Sequence, residues 1–170
     1  WNDPDATSKT LINGWVHTGD IGEFDDEDYL KITDRKKDIL VNAGGDNISP
    51  TRVEAKLDIE PEIAQSMLYG DYKNYLVAVI VPDKDFAINW AKENSKDQVF
   101  ESIVKDADFN KRMKEIVNKV NKNLSVIEQV RKFILIDHEF TIENSMMTVS
   151  MKVRRFAVKD KYGDQLEKLY

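Results

Sequence analysis

Three places in this sequence combine residue types that can do chemistry. Gly19-Asp20 sets a carboxylate on a glycine turn, where it can accept both hydrogen bonds of a vicinal diol. Ala43-Gly44-Gly45-Asp46-Asn47 supplies the positive φ values of a tight turn, and its glycines let a backbone come close to a ligand. Lys152, Arg154 and Arg155 close a polar, methionine-rich stretch that begins at Phe140, a basic cluster suited to phosphate contact. Each has a plainer alternative: an ordinary Gly-Asp turn, a surface hairpin, a solvated basic patch. A nucleic-acid footprint on that patch is disfavoured, because the chain is acidic overall and no aromatics interleave the cluster. His17 and His138 lie far apart without clustered ligands, so no metal site is expected.

The elements that must position these residues follow from pattern. Asp34 to Asp38 is a run of charges that does not suit a core, and Ile39-Leu40-Val41 directly after it has the character of a buried strand. Ile48 resumes extended chain beyond the glycine turn, and Ser49-Pro50 opens a helix carrying Val53 and Leu57 on one face. Before this joint, Asn2 to Ser8 offers a turn and a helix start, Asn13-Gly14 a second turn, and Trp15–His17, Ile21–Phe24 and Tyr29–Thr33 short strands. The last of these alternates as a half-buried strand should. After it, Glu62–Leu68 suits a helix or a strand, and Tyr75–Val81 is an apolar run expected as the central buried strand. Asp83–Asn94 and Gln98–Lys105 read as helices. Phe109, Met113, Ile116, Val117, Val120 and Leu124 form the core stripe of a longer helix with Asp108 as its expected cap. Arg131–Asp137 is expected beside the central strand, and a final helix runs to Tyr170. The expected class is α+β: a small mixed sheet flanked by helices, preceded by a two-stranded hairpin and a short β segment.

Composition narrows the function classes. The 170 residues are 41% hydrophobic, enough for a real core, and 31 acidic against 25 basic residues give a net charge of −6, which argues against a general polyanion binder. No cysteine is present, so thiolate chemistry and disulfides are excluded and a reducing, cytoplasmic setting is expected. No stretch approaches a membrane span, and Trp1-Asn2-Asp3-Pro4 does not read as a signal peptide. Residues 1–33 hold too little apolar content to fold alone, and are expected to be the edge of a longer protein's upstream domain.

Gly14-Trp15-Val16-His17-Thr18-Gly19-Asp20, the stretch from Asp34 to Glu54, and Asn144 to Arg155 together resemble, in order, motifs of adenylate-forming enzymes. Among these the chain looks most like long-chain fatty-acid–CoA ligases. The resemblance implies that residues 1–34 end the N-terminal adenylation domain and that 35–170 form the C-terminal lid domain. It implies that Asp20 and Arg35 contact the nucleotide, that Lys37 is the hinge, that Gly44, Gly45 and Asn47 serve the thioester step, and that Lys152 is the catalytic lysine. Arg154 and Arg155 are expected to matter less. ATP, Mg²⁺, coenzyme A and a fatty acid are implied for the whole enzyme and none for this part alone; peripheral membrane association stays open. Ser145, Val149 and Arg154 stand where the family motif has Gly, Pro and Lys, and Asp46 follows the glycine pair where some relatives place a basic residue. Two other readings stand beside this one: an adenylating ligase for an aryl or medium-chain acid, and a non-enzymatic α+β interaction module.

Overall fold

The computed structural model describes residues 2–170; Trp1, the first residue of the opening segment, lies outside them. The chain divides into two compact units, 1–39 and 40–170, with the joint five residues beyond the 34/35 boundary expected from sequence.

The first unit is a small helix followed by two β-ribbons. Helix α1 (Pro4–Thr10) starts because Asp3 accepts the Ala6 N–H at 2.9 Å and Pro4 occupies the first turn. Strands β1 (Leu11–Ile12) and β2 (Trp15–Val16) pair around Asn13-Gly14, whose φ values of +52° and +80° are those of a type I′ turn. Strands β3 (Asp20–Phe24) and β4 (Leu30–Arg35) pair antiparallel, with Asp20 directly opposite Arg35. Leu30 and Ile32 alternate as expected, yet they are exposed, because no layer of this unit covers the ribbon. Asp34 departs from expectation in the other direction: it is buried, with Oδ1 accepting the Arg35 N–H at 2.8 Å. Among the described residues of this unit no hydrophobic side chain is buried.

The second unit holds the core. Its elements are β5 (Leu40–Val41), β6 (Asn47–Ile48), α2 (Pro50–Asp58), β7 (Ile63–Tyr69), β8 (Leu76–Pro82), α3 (Lys84–Glu93), α4 (Phe100–Ile103), α5 (Ala107–Asn121), β9 (Val130–Leu135) and α6 (Arg155–Glu167). Strand β8 is central, antiparallel to β7 and parallel to β9, and every one of its residues is buried. Period-two alternation splits it between two cores. Leu76, Ala78 and Ile80 join Val53 and Leu57 of α2, Ala87 and Ala91 of α3, and Phe109, Met113 and Val117 of α5. Val77, Val79 and Val81 face Val158, Tyr162 and Leu166 of α6 together with Phe140, Met146 and Met147. Full burial of each Val, Leu, Ile, Phe or Met among these stabilises by about 1.5–3 kcal/mol.

Three local expectations change. The segment open between helix and strand is β7. Helix α5 is capped by Asp106, whose Oδ1 accepts the Asp108 and Phe109 N–H groups at 2.8 and 3.1 Å; Asp108 lies in the first turn and pairs with Lys96. The helix expected over Gln98–Lys105 is confined to α4, which begins at Phe100.

Candidate functional site

In the first unit, the pairing of β3 with β4 fixes Asp20 against Arg35. The Arg35 Nε lies 3.5 Å from Asp20 Oδ1, and both side chains reach solvent, so the pair is worth at most about 1 kcal/mol and can reorganise around a ligand. Gly19, at φ +76°, makes the turn that presents the carboxylate; the Thr18 hydroxyl accepts the Asp20 N–H, and the Lys36 N–H bonds the Gly19 carbonyl at 2.8 Å. Lys37 sits in a reverse turn in which the Arg35 carbonyl accepts both the Asp38 N–H at 2.9 Å and the Ile39 N–H at 3.3 Å. Thr18, Gly19, Arg35, Lys36 and Lys37 line a shallow cleft of about 370 Å³. The Asp20 carboxylate beside this cleft's Arg35 can accept hydrogen bonds from a diol. His17 is exposed and takes no part beyond a backbone bond to the Thr10 carbonyl.

In the second unit, the glycine turn joins β5 to β6 and is built around a residue the motif reading passed over. Asn42 Oδ1 accepts the N–H groups of both Gly44 and Asp46 at 2.9 Å, and its Nδ2 donates to Asp46 Oδ2 at 3.0 Å. The turn is therefore clasped from inside, and Asp46 serves the clasp. Gly45 at φ +86° needs glycine, and a Cβ there would meet nothing within 4 Å, so this side of the turn is open. Gly44 has less room: a Cβ would approach Asn42 Oδ1 to 3.3 Å. Asn47 is exposed and pairs with Val41 in the ladder. Backbone from a second turn buttresses the first, with the Tyr72 N–H donating to the Val41 carbonyl and the Ala43 N–H to the Lys73 carbonyl. An asparagine that opens a turn is the one sequence signal that pointed to Asn42.

The segment before α6 is a small hairpin held at its base. Asn144 Oδ1 accepts the Thr141 and Met146 N–H groups at 2.9 and 3.1 Å while its Nδ2 donates to the Glu139 carbonyl. Met147 pairs with Val153 in an isolated bridge, and both methionines at 146 and 147 are buried. Beyond the bridge, the Met151 N–H closes a turn onto the Thr148 carbonyl, and Lys152 donates its N–H to Thr148 Oγ1 at 3.0 Å. Lys152 thus stands exposed on a short, bonded turn with Val149 and Met151 exposed beside it. Val149 fills the second position of that turn, a position where proline is favoured.

Ser145 has the backbone of a glycine. Its φ of +62° lies in the left-handed region, which costs a non-glycine residue about 1–2 kcal/mol. Ser145→Gly is expected to stabilise the protein by roughly 0.5–1 kcal/mol, part of the relief being offset by glycine's greater freedom when unfolded. Chemical denaturation of the two proteins checks this: a midpoint that falls on substitution contradicts it.

Arg155 differs from Arg154. Arg154 is exposed, whereas the Arg155 guanidinium grips Glu54 of α2 with two nitrogens, Nη1 donating to Oε1 at 2.6 Å and Nη2 to Oε2. The expectation that the two arginines rank together does not fit this contact. Among the described residues no cluster of three or more His, Cys, Asp or Glu could hold a metal ion, so no residue here is assigned to Mg²⁺.

Comparison with known proteins bears on what this geometry serves. The chain is 34% identical to the long-chain-fatty-acid–CoA ligase FadD15 of Mycobacterium tuberculosis over its whole length, and spans 29% of that protein. It is 33% identical to human long-chain-fatty-acid–CoA ligase 1, with 99% of this chain and 25% of the relative covered. Among solved structures it superposes on the adenylation domain of a carboxylate reductase from Mycobacterium chelonae with a TM-score of 0.85 at 28% identity, covering all of this chain and 25% of that one. An adenylation–carrier didomain of a Segniliparus rugosus carboxylic acid reductase, solved with AMP, gives 0.77 at 27% identity over 98% of this chain and 22% of that one. The AMP-binding enzyme C-terminal domain model matches residues 37–170, which take in the glycine turn, the sheet and the lysine hairpin. The chain belongs to the C-terminal domain family of AMP-binding, adenylate-forming enzymes.

Proposed function

We propose that this chain is the C-terminal part of an ATP-dependent long-chain fatty acid–CoA ligase. One observation carries the reading. The Asp20–Arg35 clamp, the Arg35–Asp38 turn, the glycine turn and the lysine hairpin stand in one chain whose whole length matches a long-chain ligase at 34% identity.

The chemistry asks two things of these residues. In the first step a carboxylate oxygen attacks the α-phosphate of ATP and pyrophosphate leaves, giving an acyl-AMP. Asp20 accepts the hydrogen bonds of the ribose diol, Arg35 supplies a second nucleotide contact, and the Lys152 ammonium offsets the negative charge brought together. In the second step the thiol of coenzyme A attacks the acyl carbon and AMP leaves with the bonding pair. Rotation about Lys37 brings the open side of the Gly44-Gly45 turn, with Asn47, to the reacting centre in place of Lys152. The lack of cysteine supports a cytoplasmic setting for this reaction.

The full-length protein is expected to turn a long-chain fatty acid, ATP and coenzyme A into acyl-CoA, AMP and pyrophosphate. Product formed only from aryl acids, or aldehyde formed in place of thioester, would reassign the substrate or the second step. The 170-residue chain alone should release no pyrophosphate and bind AMP no tighter than about millimolar. Its nucleotide contacts are one or two exposed charge-assisted bonds of about 1.5–3 kcal/mol each, which barely offset immobilising a ligand. Calorimetric titration with AMP and a pyrophosphate-release assay on the isolated chain check this; micromolar binding or turnover contradicts it.

A further inference from the structure

Between the helix that follows the glycine turn and the end of the lysine hairpin runs a largely buried ion pair. Glu54 lies on α2, the helix that follows the glycine turn; Arg155 is the first residue of α6, three positions after Lys152. The two are 101 residues apart in sequence, and their contact is two-pronged, with side-chain exposures of 11% and 23%. Glu54 also accepts the Leu68 N–H of β7 at 2.6 Å, so the carboxylate is fixed to the sheet on one side while it holds the arginine on the other. A fork-to-fork pair of this kind fixes orientation as well as distance, which a lysine could not do.

What the pair restrains is set by the loop next to it. The lysine hairpin returns to the body at Arg154, whose N–H donates to the Met146 carbonyl at 2.7 Å, and Arg155 follows at once. On its other side the hairpin is tied by Asn144 and the buried Met146 and Met147. Besides Arg155, the return strand is held by the isolated Met147–Val153 bridge, by that one backbone bond at its base and by the Thr148–Lys152 bonds at the turn, none of which reaches α2.

We propose that the Glu54–Arg155 pair is a positioning device for Lys152, clamping the return strand of the lysine hairpin onto the helix that follows the glycine turn. The lysine hairpin and the glycine turn then travel as one rigid piece when the domain rotates. Arg155 touches no reacting atom in this account; it acts through the loop. The inference rests on the adenylation role given to Lys152, and it can fail separately from that role.

The test uses the full-length protein with Arg155→Ala, Arg155→Lys and Glu54→Gln, the last keeping an acceptor for the Leu68 N–H. Amide hydrogen exchange is read over residues 141–154 and over β8. Acyl-AMP formation is read beside thioester formation from supplied acyl-AMP. Arg155→Ala should speed exchange in 141–154 at least tenfold with β8 unchanged, and slow acyl-AMP formation by ten- to a hundredfold with thioester formation unchanged. Arg155→Lys should recover only part of the loss. Glu54→Gln should resemble Arg155→Ala, and the double variant should be no worse than either, as for one shared contact. Lys114→Ala, at an exposed position of α5, serves as control and should change neither reading. Unchanged exchange in 141–154, equal loosening of β8, or full recovery by lysine overturns the positioning role. Should Lys152→Ala itself leave acyl-AMP formation intact, the functional reading fails, and the exchange data alone then uphold or overturn the clamp.

Discussion

Lys152→Ala in the full-length protein is expected to slow acyl-AMP formation by about 10²–10³, the usual loss when one preorganised charge aimed at a developing anion is removed. In the adenylation step a carboxylate and an α-phosphate, both anionic, must meet in a site with little water, where an ammonium stabilises them far more than it would in bulk. Lys152 suits that role because its backbone is bonded into the Thr148–Lys152 turn and the base of its hairpin holds two buried methionines. Supplied with synthetic acyl-AMP and coenzyme A, the same variant should form thioester at close to the normal rate. Lys152→Arg should not restore adenylation, since a planar guanidinium cannot replace a compact point charge. Single-turnover measurement of each half-reaction decides the matter: equal slowing of both, or of neither, removes Lys152 from the role.

Lys37→Pro is expected to abolish one half-reaction and spare the other. The turn at Arg35–Asp38 is closed by two bonds onto a single carbonyl and lies at the end of the first unit. Proline at position 37 fixes its own φ near −65° and pushes Lys36 toward extended backbone, so the observed turn becomes inaccessible. A chain that must adopt two backbone states at this point would be held in one. A loss of about 10²-fold or more in one step, with the other within a few-fold of normal, is the expected result, as cost of one excluded conformer. Stopped-flow assays of the two steps check it. Equal loss of both steps would mean that Lys37 is a folding residue and not a pivot.

How far the sequence could be read depended on whether the needed partner was near in the chain. Asp20 is presented by the adjacent Gly19, and the glycine turn and Ser49-Pro50 cap are local grammar, so their positions follow from neighbouring residues. The central strand announced itself by seven consecutive apolar residues from Tyr75 to Val81, and its neighbour β9 by a shorter run from Phe133 to Ile136. Alternation in Leu30 and Ile32 was also visible, but alternation says which side chains share a face and not whether anything covers it; in this unit nothing does. The cap of α5 was misplaced by two residues because Asp106 and Asp108 are equally good acceptors, and only the backbone decides between them. Glu54 and Arg155 were both seen as motif letters, yet no local pattern says that they hold one another across the fold.

The two-sided burial of β8 has a consequence for how the protein is made. Val77, Val79 and Val81 are covered by Val158, Tyr162 and Leu166, and 85 residues of chain separate Val81 from Leu166. At about 5–20 residues per second a ribosome leaves that valine surface bare for roughly 4–17 s, a window in which exposed apolar surface is prone to aggregate. Only when the last helix emerges does it cover the sheet, seat the methionines of the lysine hairpin and bring Arg155 to Glu54 in the same event. A truncated translation product would therefore carry a sticky sheet and an unformed lysine loop together, so premature release yields a target for proteolysis in place of a half-competent enzyme.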